Sequence, residues 1–457
     1  MAIQPQLIRD VVIVVPGIMG SALADADGHM LWDVQPGTLP QAVRAVAQGR
    51  LTLPASLGDG AAPDGVRPTH LLNSLHLIPG LWSPVTGYDG LLEFLRSPRF
   101  QMIEPDPAEP GTLPNLLTFP YDWRLSCRHN GRLLASFAKA ALQRWRDQPG
   151  LQDAQLVLVC HSMGGLVARW FAACEGGAPL IRAMLTLGTP HRGAVRALGT
   201  LVNGLEPGLG PLRLPLTALT RSLPSMHDLL PQYDCLVAPG GSRSPLAPSQ
   251  FPGIDAALWA SASDFHARIA SPQAPAYPLY KVVGIRQPTP TTALWQGDRL
   301  DLMEEIDGQD DGGDGTVPRL AAEPALGRGA EVVTVAEQHG ELQDKRAVWD
   351  LLDGLLTREQ VVWQGAGPGG DAIGVRMADV WTTAQSPSLQ LGPLPDALVL
   401  VEVLNEAGQV VRPAQLVPPS GALVLAPLPE GAWRIRIRGR HETPRPVHKP
   451  ILVLAAA

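Results

Sequence analysis

A serine followed closely by two glycines lies where a buried strand gives way to a helix, and it is the point of this sequence best suited to nucleophilic chemistry. The mostly apolar run Gln155–Cys160 predicts the strand, and Gly164–Cys174 predicts the helix. A serine on so tight a turn exposes its hydroxyl above a sheet, as in the nucleophile elbow of the pattern Gly-x-Ser-x-Gly. Cys160 stands where that pattern has its first glycine, a departure that we expect the turn to accommodate. Ser162 is therefore the predicted nucleophile.

A serine hydroxyl needs a general base, and the base needs an acid that orients it. His339 comes just after the apolar run Val332–Val335, and the loop at the carboxyl end of a strand is where α/β folds place catalytic groups. His161 precedes the serine and is expected to point away from its hydroxyl. His339 is therefore the predicted base. The other histidines that follow His191 fall in a loop-rich segment or in the C-terminal tail: His227, His266, His441 and His448.

The acid is expected between the serine and the base in chain order. The segment 307–318 carries four aspartates, and we choose Asp314 because Gly-Asp-Gly-Thr-Val-Pro is the tightest turn next to an apolar residue; the others are Asp307, Asp310 and Asp311. A calcium loop is the alternative interpretation. The segment has Gln at the third position and no Glu at the twelfth, so the EF-hand spacing fails. We therefore expect no metal and no cofactor.

The oxyanion that forms during attack on an ester needs two backbone N–H groups. One comes from the residue after the nucleophile, Met163, and the second from a loop after an early strand. The β-branched run Val11–Val15 predicts that strand, and the segment 16–21 follows it with two glycines that let the backbone approach a substrate closely. Ile18 is the predicted second donor.

Strands and helices alternate along the first part of the chain, which is typical of an α/β fold with a mainly parallel sheet. The Leu-, Pro- and Gly-rich segment 195–275 interrupts the alternation and is interpreted as an inserted cap, and residues 36–85 are similarly irregular. Residues 361–457 show short strands separated by turns and are expected to form a small antiparallel β domain. The other predicted elements are helices at Gly87–Leu95, Arg132–Asp147 and Asp344–Leu356, and strands at Leu116–Phe119, Ala183–Leu187, Tyr280–Ile285, Ala397–Leu404, Gly421–Leu425 and Trp433–Arg438.

Composition excludes several classes of protein. Of the 457 residues, 45% are hydrophobic and 17% are charged, which excludes a disordered chain. The net charge of -7 excludes the basic excess of a nucleic-acid-binding protein. Met1–Asp10 lacks the pattern of a Sec signal peptide, and the four cysteines contain no CxxC pair. We therefore expect a cytoplasmic protein that contacts membranes peripherally.

Six motifs within residues 10–345 resemble those of the lecithin:cholesterol acyltransferase-like α/β-hydrolases, which include lysosomal phospholipase. They are Pro16-Gly-Ile-Met-Gly-Ser21, Phe119-Pro-Tyr-Asp-Trp-Arg124, His161-Ser-Met-Gly-Gly165, Leu187-Gly-Thr-Pro190 with Arg192-Gly193, Gly313-Asp-Gly-Thr-Val317 and Gln338-His339. The resemblance implies an α/β-hydrolase fold with a membrane-facing cap and lid in parts of residues 36–85 and 195–275. It implies the same triad and oxyanion donors that the residues indicate. It also implies that Asp122 and Arg124 support the site as a buried pair and do not catalyse.

The resemblance further implies a serine enzyme that takes the acyl group from a lipid ester and passes it to water or to an alcohol. Two alternatives stay open: a carboxylesterase or deacylase of lipidated protein or glycolipid, and an inactive scaffold. The catalytic domain is expected at residues 1–360. The tail has no counterpart in the family, and its run Leu428–Ile435 is similar to transthyretin-like and carboxypeptidase-regulatory β domains. We expect a lipid ester as substrate, a protein partner for the tail, and no nucleic acid.

Overall fold

The structure, a computed structural model, describes residues 7–33, 39–54, 57–60, 62–72, 87–106, 108–109, 111–205, 216–238, 240–247, 251–270, 276–323, 330–358, 373–392, 398–405, 408–418, 420–439 and 446–456. Parts of the expected cap and lid, His441 and the expected domain boundary at residue 360 lie outside these ranges.

The part of the chain before residue 359 contains both strands and helices. Its strands are β1 Val11–Val15, β2 Ser21–Ala24, β3 Met30–Trp32, β4 Arg67–Leu71, β5 Leu116–Thr118, β6 Leu156–His161, β7 Ile181–Leu187, β8 Leu236–Val237, β9 Arg243–Ser244, β10 Leu279–Gly284, β11 Thr292–Trp295, β12 Leu300–Met303 and β13 Ala330–Val335. Its helices are α1 Leu39–Ala47, α2 Asp89–Leu95, α3 Cys127–Arg146, α4 Gly164–Cys174, α5 Val195–Asn203, α6 Leu216–Ser222, α7 Pro224–Asp228, α8 Ala256–Ile269, α9 Arg319–Ala322 and α10 Arg346–Thr357, with 3₁₀ helices at Ala178–Leu180 and His339–Asp344.

A six-stranded sheet forms the centre of this part, in the order β13-β10-β7-β6-β1-β5 with every neighbouring pair parallel. The mainly parallel sheet expected from the alternation of strands and helices is confirmed. Parallel strands end at the same edge of a sheet, so the loops after β1, β6 and β13 meet there. These loops carry Ile18, Ser162 and His339.

Side chains of β1 alternate between two hydrophobic cores because successive strand residues point to opposite faces. Val11, Ile13 and Val15 pack in the core that includes α3 and α4. Val12 and Val14 pack in the core that includes α2 and α10. All five valine and isoleucine side chains are buried, which is why the run is apolar throughout.

Helix α3 begins at Cys127, one turn earlier than the apolar spacing predicts. Ser126 caps it, because its hydroxyl accepts the N–H of His129 at 3.1 Å. The first turn has no regular apolar pattern, so periodicity alone placed the start at Arg132. Ser126 is the residue whose type indicates where the helix begins.

The described parts of the two expected cap and lid segments are partly regular. Residues 195–275 include α5 to α8, and α8 packs on the helix that follows Ser162: Trp170 and Phe265 stack with their ring centroids 5.7 Å apart. In residues 36–85, β4 joins β2 and β3 in a small sheet. The role of these segments as cap and lid stays a prediction.

The described residues from 373 onward form an all-β region, as expected. Its strands are β14 Gly374–Met377, β15 Val380–Thr382, β16 Ser388–Gly392, β17 Val399–Leu404, β18 Val410–Leu416, β19 Ala422–Val424, β20 Gly431–Gly439 and β21 Val447–Leu454. They form two sheets, β14-β16-β19 and β15-β21-β20-β17-β18, around a core of their own. One pair, β15 and β21, is parallel, which corrects the expected purely antiparallel arrangement. These strands are far apart in sequence, so no hairpin turn dictates their relative direction.

Among the described residues, no helix combines the length and the apolar character that crossing a bilayer requires.

Candidate active site

Ser162 lies on a strained turn between β6 and α4. Its φ of 51° is in the left-handed region, which non-glycine residues rarely adopt. The backbone is held in place on both sides: the N–H of Ser162 donates to the carbonyl of Leu187 at 2.8 Å, and the Thr189 hydroxyl donates to the carbonyl of Ser162 at 2.8 Å. Strain that is fixed by its surroundings is common where a side chain must be held for chemistry. Cys160, at the position of the usual glycine, is buried within the sheet between Val15 and Thr186.

The turn depends on glycine where two backbone segments nearly touch. A Cβ atom on Gly164 would meet the carbonyl oxygens of Pro16 and Val15, the latter at 2.6 Å. Both carbonyl oxygens belong to the backbone that leads directly into the loop carrying Ile18. Gly164 therefore has no space for a side chain where the nucleophile turn meets the backbone at the end of β1.

Gly164→Ala is expected to destabilise the protein by about 1–3 kcal/mol, because overpacking against backbone forces the strand or the turn to shift. Gly111→Ala is the matched control, since a Cβ at Gly111 meets nothing within 4 Å. Urea unfolding followed by tryptophan fluorescence measures both. Equal unfolding midpoints for the two variants would contradict the close approach described here.

Three side chains form a hydrogen-bonded chain at the end of the sheet. His339 Nε2 lies 2.9 Å from Ser162 Oγ, and His339 Nδ1 lies 2.7 Å from Asp314 Oδ2. Their exposures are 2% for Ser162, 1% for His339 and 1% for Asp314. An ionised carboxylate only accepts hydrogen bonds, so Nδ1 carries the imidazole proton and Nε2 accepts from the serine hydroxyl. This is the arrangement in which an imidazole can take the serine proton.

The Asp314 carboxylate is oriented by its own turn. Its Oδ1 accepts the N–H groups of Thr316 at 2.9 Å and Val317 at 2.7 Å, so Oδ2 is the oxygen that faces the imidazole. The carbonyl of Asp314 also accepts the N–H of His339 at 2.8 Å. Gly284, the last residue of β10, permits this position because any Cβ there would collide with Asp314.

The other aspartates of the acidic loop lie elsewhere. Asp307 forms an ion pair with Arg243 at 2.9 Å, and Asp310 Oδ1 accepts the N–H of Gly312 at 2.9 Å. Asp311 Oδ1 lies 3.9 Å from Arg319. Asp314 is therefore the aspartate of this loop that the structure brings to His339.

The two expected oxyanion donors lie on segments that approach each other, since a Cβ on Gly17 would lie 2.9 Å from Ser162 Cβ. Met163 begins the turn into α4, and Ile18 lies in the loop after β1. Both residues are buried, and no acceptor for either N–H is found within the described part of the chain. Buried backbone N–H groups are almost always paired, so two that lack an acceptor among the described residues are candidates for binding an oxyanion.

Tyr88 and His161 connect the loops on which these groups lie, and sequence reasoning did not find this connection. The N–H of Gly17 donates to Tyr88 Oη at 2.8 Å, and Tyr88 Oη lies 3.0 Å from His161 Nδ1. His161 Nε2 lies 3.2 Å from the carbonyl oxygen of His339. Since Tyr88 already accepts from Gly17, its proton is available to donate to Nδ1, and Nε2–H then donates to the carbonyl. His161 thus points away from the serine hydroxyl, as expected.

Asp122 and Arg124 form a buried pair in the loop after β5. Arg124 Nη2 lies 2.7 Å from Asp122 Oδ2, and its Nη1 lies 2.7 Å from Asp64 Oδ2. Burial acts to lower the pKa of the Arg124 guanidinium, but the two carboxylates outweigh it and raise that pKa above its ordinary value. The pair therefore links the loop after β5 to the segment 36–85 by charge.

Arg124→Met is expected to lower the free energy of unfolding by about 3–5 kcal/mol, because it leaves the buried Asp122 carboxylate without its cation. Arg132→Met on the exposed face of α3 is the control, and its ion pair with Glu175 is long at 3.8 Å. Chemical denaturation of both variants gives the comparison. A change for Arg124→Met no larger than that for Arg132→Met would refute a stabilising role for the buried pair.

One family model and three solved structures are similar to this chain. The sequence model of the lecithin:cholesterol acyltransferase family matches residues 109–245, which include Ser162. The Tle4-Tli4 complex structure contains a chain that is similar over 79% of this chain and 100% of its own length, at 15% identity and a TM-score of 0.52. The mature lipase BlEst2 of Bacillus licheniformis is similar over 77% of this chain and 94% of its own, at 12% identity and a TM-score of 0.39.

Phospholipase PlaB from Legionella pneumophila is similar over 97% of this chain and 92% of its own, at 10% identity and a TM-score of 0.28. No curated protein sequence matches the chain.

The fold is that of the α/β-hydrolases, with a C-terminal all-β region. Within that class, the chain resembles the lecithin:cholesterol acyltransferase-like enzymes, and the resemblance inferred from its motifs is confirmed. The family match supports action on the acyl group of a lipid ester.

Proposed function

We propose that this protein is a serine enzyme that removes the acyl group of a lipid ester through a covalent acyl-serine intermediate and passes it to water or to an alcohol. The hydrogen-bonded chain from Asp314 through His339 to Ser162 is the observation that carries the proposal. Ser162 is the proposed nucleophile, His339 the base and Asp314 the residue that orients the base.

The proposed reaction follows from the positions of these groups. Ser162 Oγ attacks the ester carbonyl carbon while His339 Nε2 takes the hydroxyl proton. The carbonyl oxygen becomes negatively charged and accepts the N–H groups of Ile18 and Met163. The bond to the leaving alcohol breaks, and His339 returns the proton to that alcohol. Water or a second alcohol then attacks the acyl-serine, again losing its proton to His339, and the ester bond to Ser162 breaks as its hydroxyl is restored.

Tyr88 and His161 are proposed as positioning residues in this reaction. Their hydrogen bonds join the loop of Ile18, the nucleophile turn and the carbonyl of His339. A displacement of about 1 Å in a catalytic group can cost about 100-fold in rate. The hydrogen bonds that join these three loops are therefore expected to affect the turnover rate. Asp122 and Arg124 are proposed to support the site from below.

We also propose that residues 1–360 form the catalytic domain and residues 361–457 a separate β domain, and that the protein acts from the cytoplasm while contacting membranes peripherally. All four cysteines are free, which is compatible with a thiol-reducing compartment. A protein partner for the β domain stays a prediction.

Product analysis tests the proposed substrate class. The protein is incubated in parallel with phospholipid vesicles that contain a sterol, with sterol esters, and with a water-soluble short-chain ester. Fatty acid released from the lipids identifies hydrolysis, and a newly acylated sterol identifies transfer. Turnover of the short-chain ester without any turnover of the lipids would overturn the lipid assignment in favour of a carboxylesterase.

A further inference from the structure

The C-terminal β region contacts the short segment that carries His339. This segment runs from Glu337 through the 3₁₀ helix His339–Asp344 to Lys345. Residues of β20 and β21 contact this segment directly at two points. At a third point, β14 contacts Gln287, whose side chain is hydrogen-bonded to Gln338 of the segment.

The first contact is made by the carboxylate of Glu337, two residues before His339. It is almost fully buried, with Oε2 lying 2.6 Å from Lys345 Nζ and Oε1 accepting the N–H of His448 in β21 at 3.1 Å. Lys345 Nζ also donates to His448 Nδ1 at 2.9 Å. Burial acts to raise the pKa of Glu337, but Lys345 and His448 outweigh it and lower that pKa to about 2. Glu337 is therefore a buried carboxylate that pairs with Lys345 of its own segment and accepts a hydrogen bond from the tail.

The second contact is made by Glu341, two residues after His339. Its Oε1 lies 3.5 Å from Arg434 Nε in β20, and its Oε2 lies 3.9 Å from Lys345 Nζ. Burial raises the pKa of Glu341 to about 7, against the opposing charges of Arg434 and Lys345. Taking Arg434 away leaves Glu341 buried with a single, more distant cation, so the carboxyl group takes up a proton or the segment moves.

The third contact passes through Gln287. Its Oε1 accepts from Gln338 Nε2 at 2.6 Å and from the N–H of Val375 in β14 at 3.3 Å. Its Nε2 donates to the carbonyl of Ile373 at 3.2 Å. The residue directly before His339 is thus also tied to the tail, through a buried amide.

We propose that the C-terminal β region is a brace that positions His339 for catalysis, with Arg434 and His448 as positioning residues. The inference rests on the catalytic role proposed for His339. Two buried carboxylates lie on either side of the histidine, and each takes a partner from the tail. The docked tail holds the segment in place because it supplies a hydrogen-bond donor to Glu337 and the nearer of the two cations that face Glu341. General-base catalysis requires Nε2 to stay within hydrogen-bond reach of the serine hydroxyl.

Arg434→Gln in the full chain tests the brace. The readout is the second-order rate at which a fluorophosphonate probe labels Ser162, together with kcat and KM for an ester. We expect labelling and kcat to fall by about 10-fold while KM stays unchanged, because the base is misplaced and the binding surface is not. Arg434→Lys, which keeps the cation, is expected to recover most of the rate.

Arg436→Gln is the matched control. Arg436 lies two residues along the same strand and face, but its partner is Glu402 within the tail, at 2.6 Å. We expect it to label as fast as the wild-type protein. His448→Leu removes the imidazole that accepts from Lys345 Nζ and keeps the backbone N–H that donates to Glu337. It is used if Arg434→Gln lowers the thermal unfolding midpoint, and it is expected to slow labelling as well.

The outcomes separate the two proposals. If Ser162 is labelled in the wild-type protein, and Arg434→Gln and His448→Leu are labelled at the same rate, the brace is overturned and the proposed function stays intact. A wild-type protein that is not labelled at Ser162 would overturn the proposed function and the brace with it. Slow labelling of Arg434→Gln and of Arg436→Gln alike would show a general effect of tail stability and would also overturn the specific role of Arg434.

Discussion

Ser162→Ala is expected to lower kcat/KM for ester cleavage by about 10⁴–10⁶-fold, the largest effect of any single substitution in this protein. Alanine removes the oxygen that lies 2.9 Å from His339 Nε2. Without a nucleophile there is no covalent intermediate, and only the oxyanion donors and substrate binding remain to assist attack by water. Steady-state kinetics with a chromogenic ester measures the loss.

Ser225→Ala is the control for that substitution. Ser225 is also fully buried, but its hydroxyl donates to the carbonyl of Arg124 at 3.4 Å and lies outside the triad. We expect its activity to stay within about twofold of the wild-type value, as is usual away from reacting groups. Ester cleavage that survives in Ser162→Ala would show that another residue is the nucleophile.

Asp314→Asn is expected to lower kcat by about 10³–10⁴-fold although the side chain keeps its shape. The cause of this loss is the turn that holds the side chain of residue 314. Thr316 and Val317 donate their N–H groups to Oδ1, so the oxygen of an asparagine must stay on their side. Its NH₂ group then faces His339 Nδ1 and donates to it. The imidazole proton moves to Nε2, where it prevents the base from accepting the serine proton.

Asp311→Asn is the control in the same loop, because the Asp311 carboxylate lies 3.9 Å from Arg319 and takes no part in the triad. The pair is compared by kcat and by the imidazole ¹⁵N shifts of His339, which report the tautomer. An Asp314→Asn variant with near wild-type kcat would show that the carboxylate charge and its orientation are not required.

Motifs in the sequence located the groups that the structure brings together. Ser162 and His339 are far apart along the chain, yet each follows a strand of the parallel sheet, and the rule that such strands end at one edge predicts that they meet. Asp314 follows β12 of a different sheet and was chosen from its tight turn and its place in chain order. The beginning of α3 was missed because its first turn carries no apolar pattern and depends on the cap by Ser126.

Contacts between distant segments were beyond the reach of pattern analysis. The sequence around His448 and Arg434 does not indicate that these residues approach the segment that carries His339, so sequence analysis did not single them out. Tyr88 lies in a short apolar stretch that predicts a helix. The hydrogen bond between its hydroxyl and His161 depends on the tertiary packing of three loops. Periodicity describes which face of an element is buried, and it carries no information about which partner a polar side chain meets.

Mass spectrometry of the acid-quenched protein tests the central claim most directly. The wild-type protein and Ser162→Ala are incubated with phospholipid vesicles that contain a sterol, quenched during turnover and digested. We expect the peptide that contains Ser162 to gain the mass of one fatty acyl group in the wild-type protein, and no peptide of the variant to gain it. An acyl group on a different residue, or turnover of lipid by Ser162→Ala, would contradict the proposed acyl-serine mechanism.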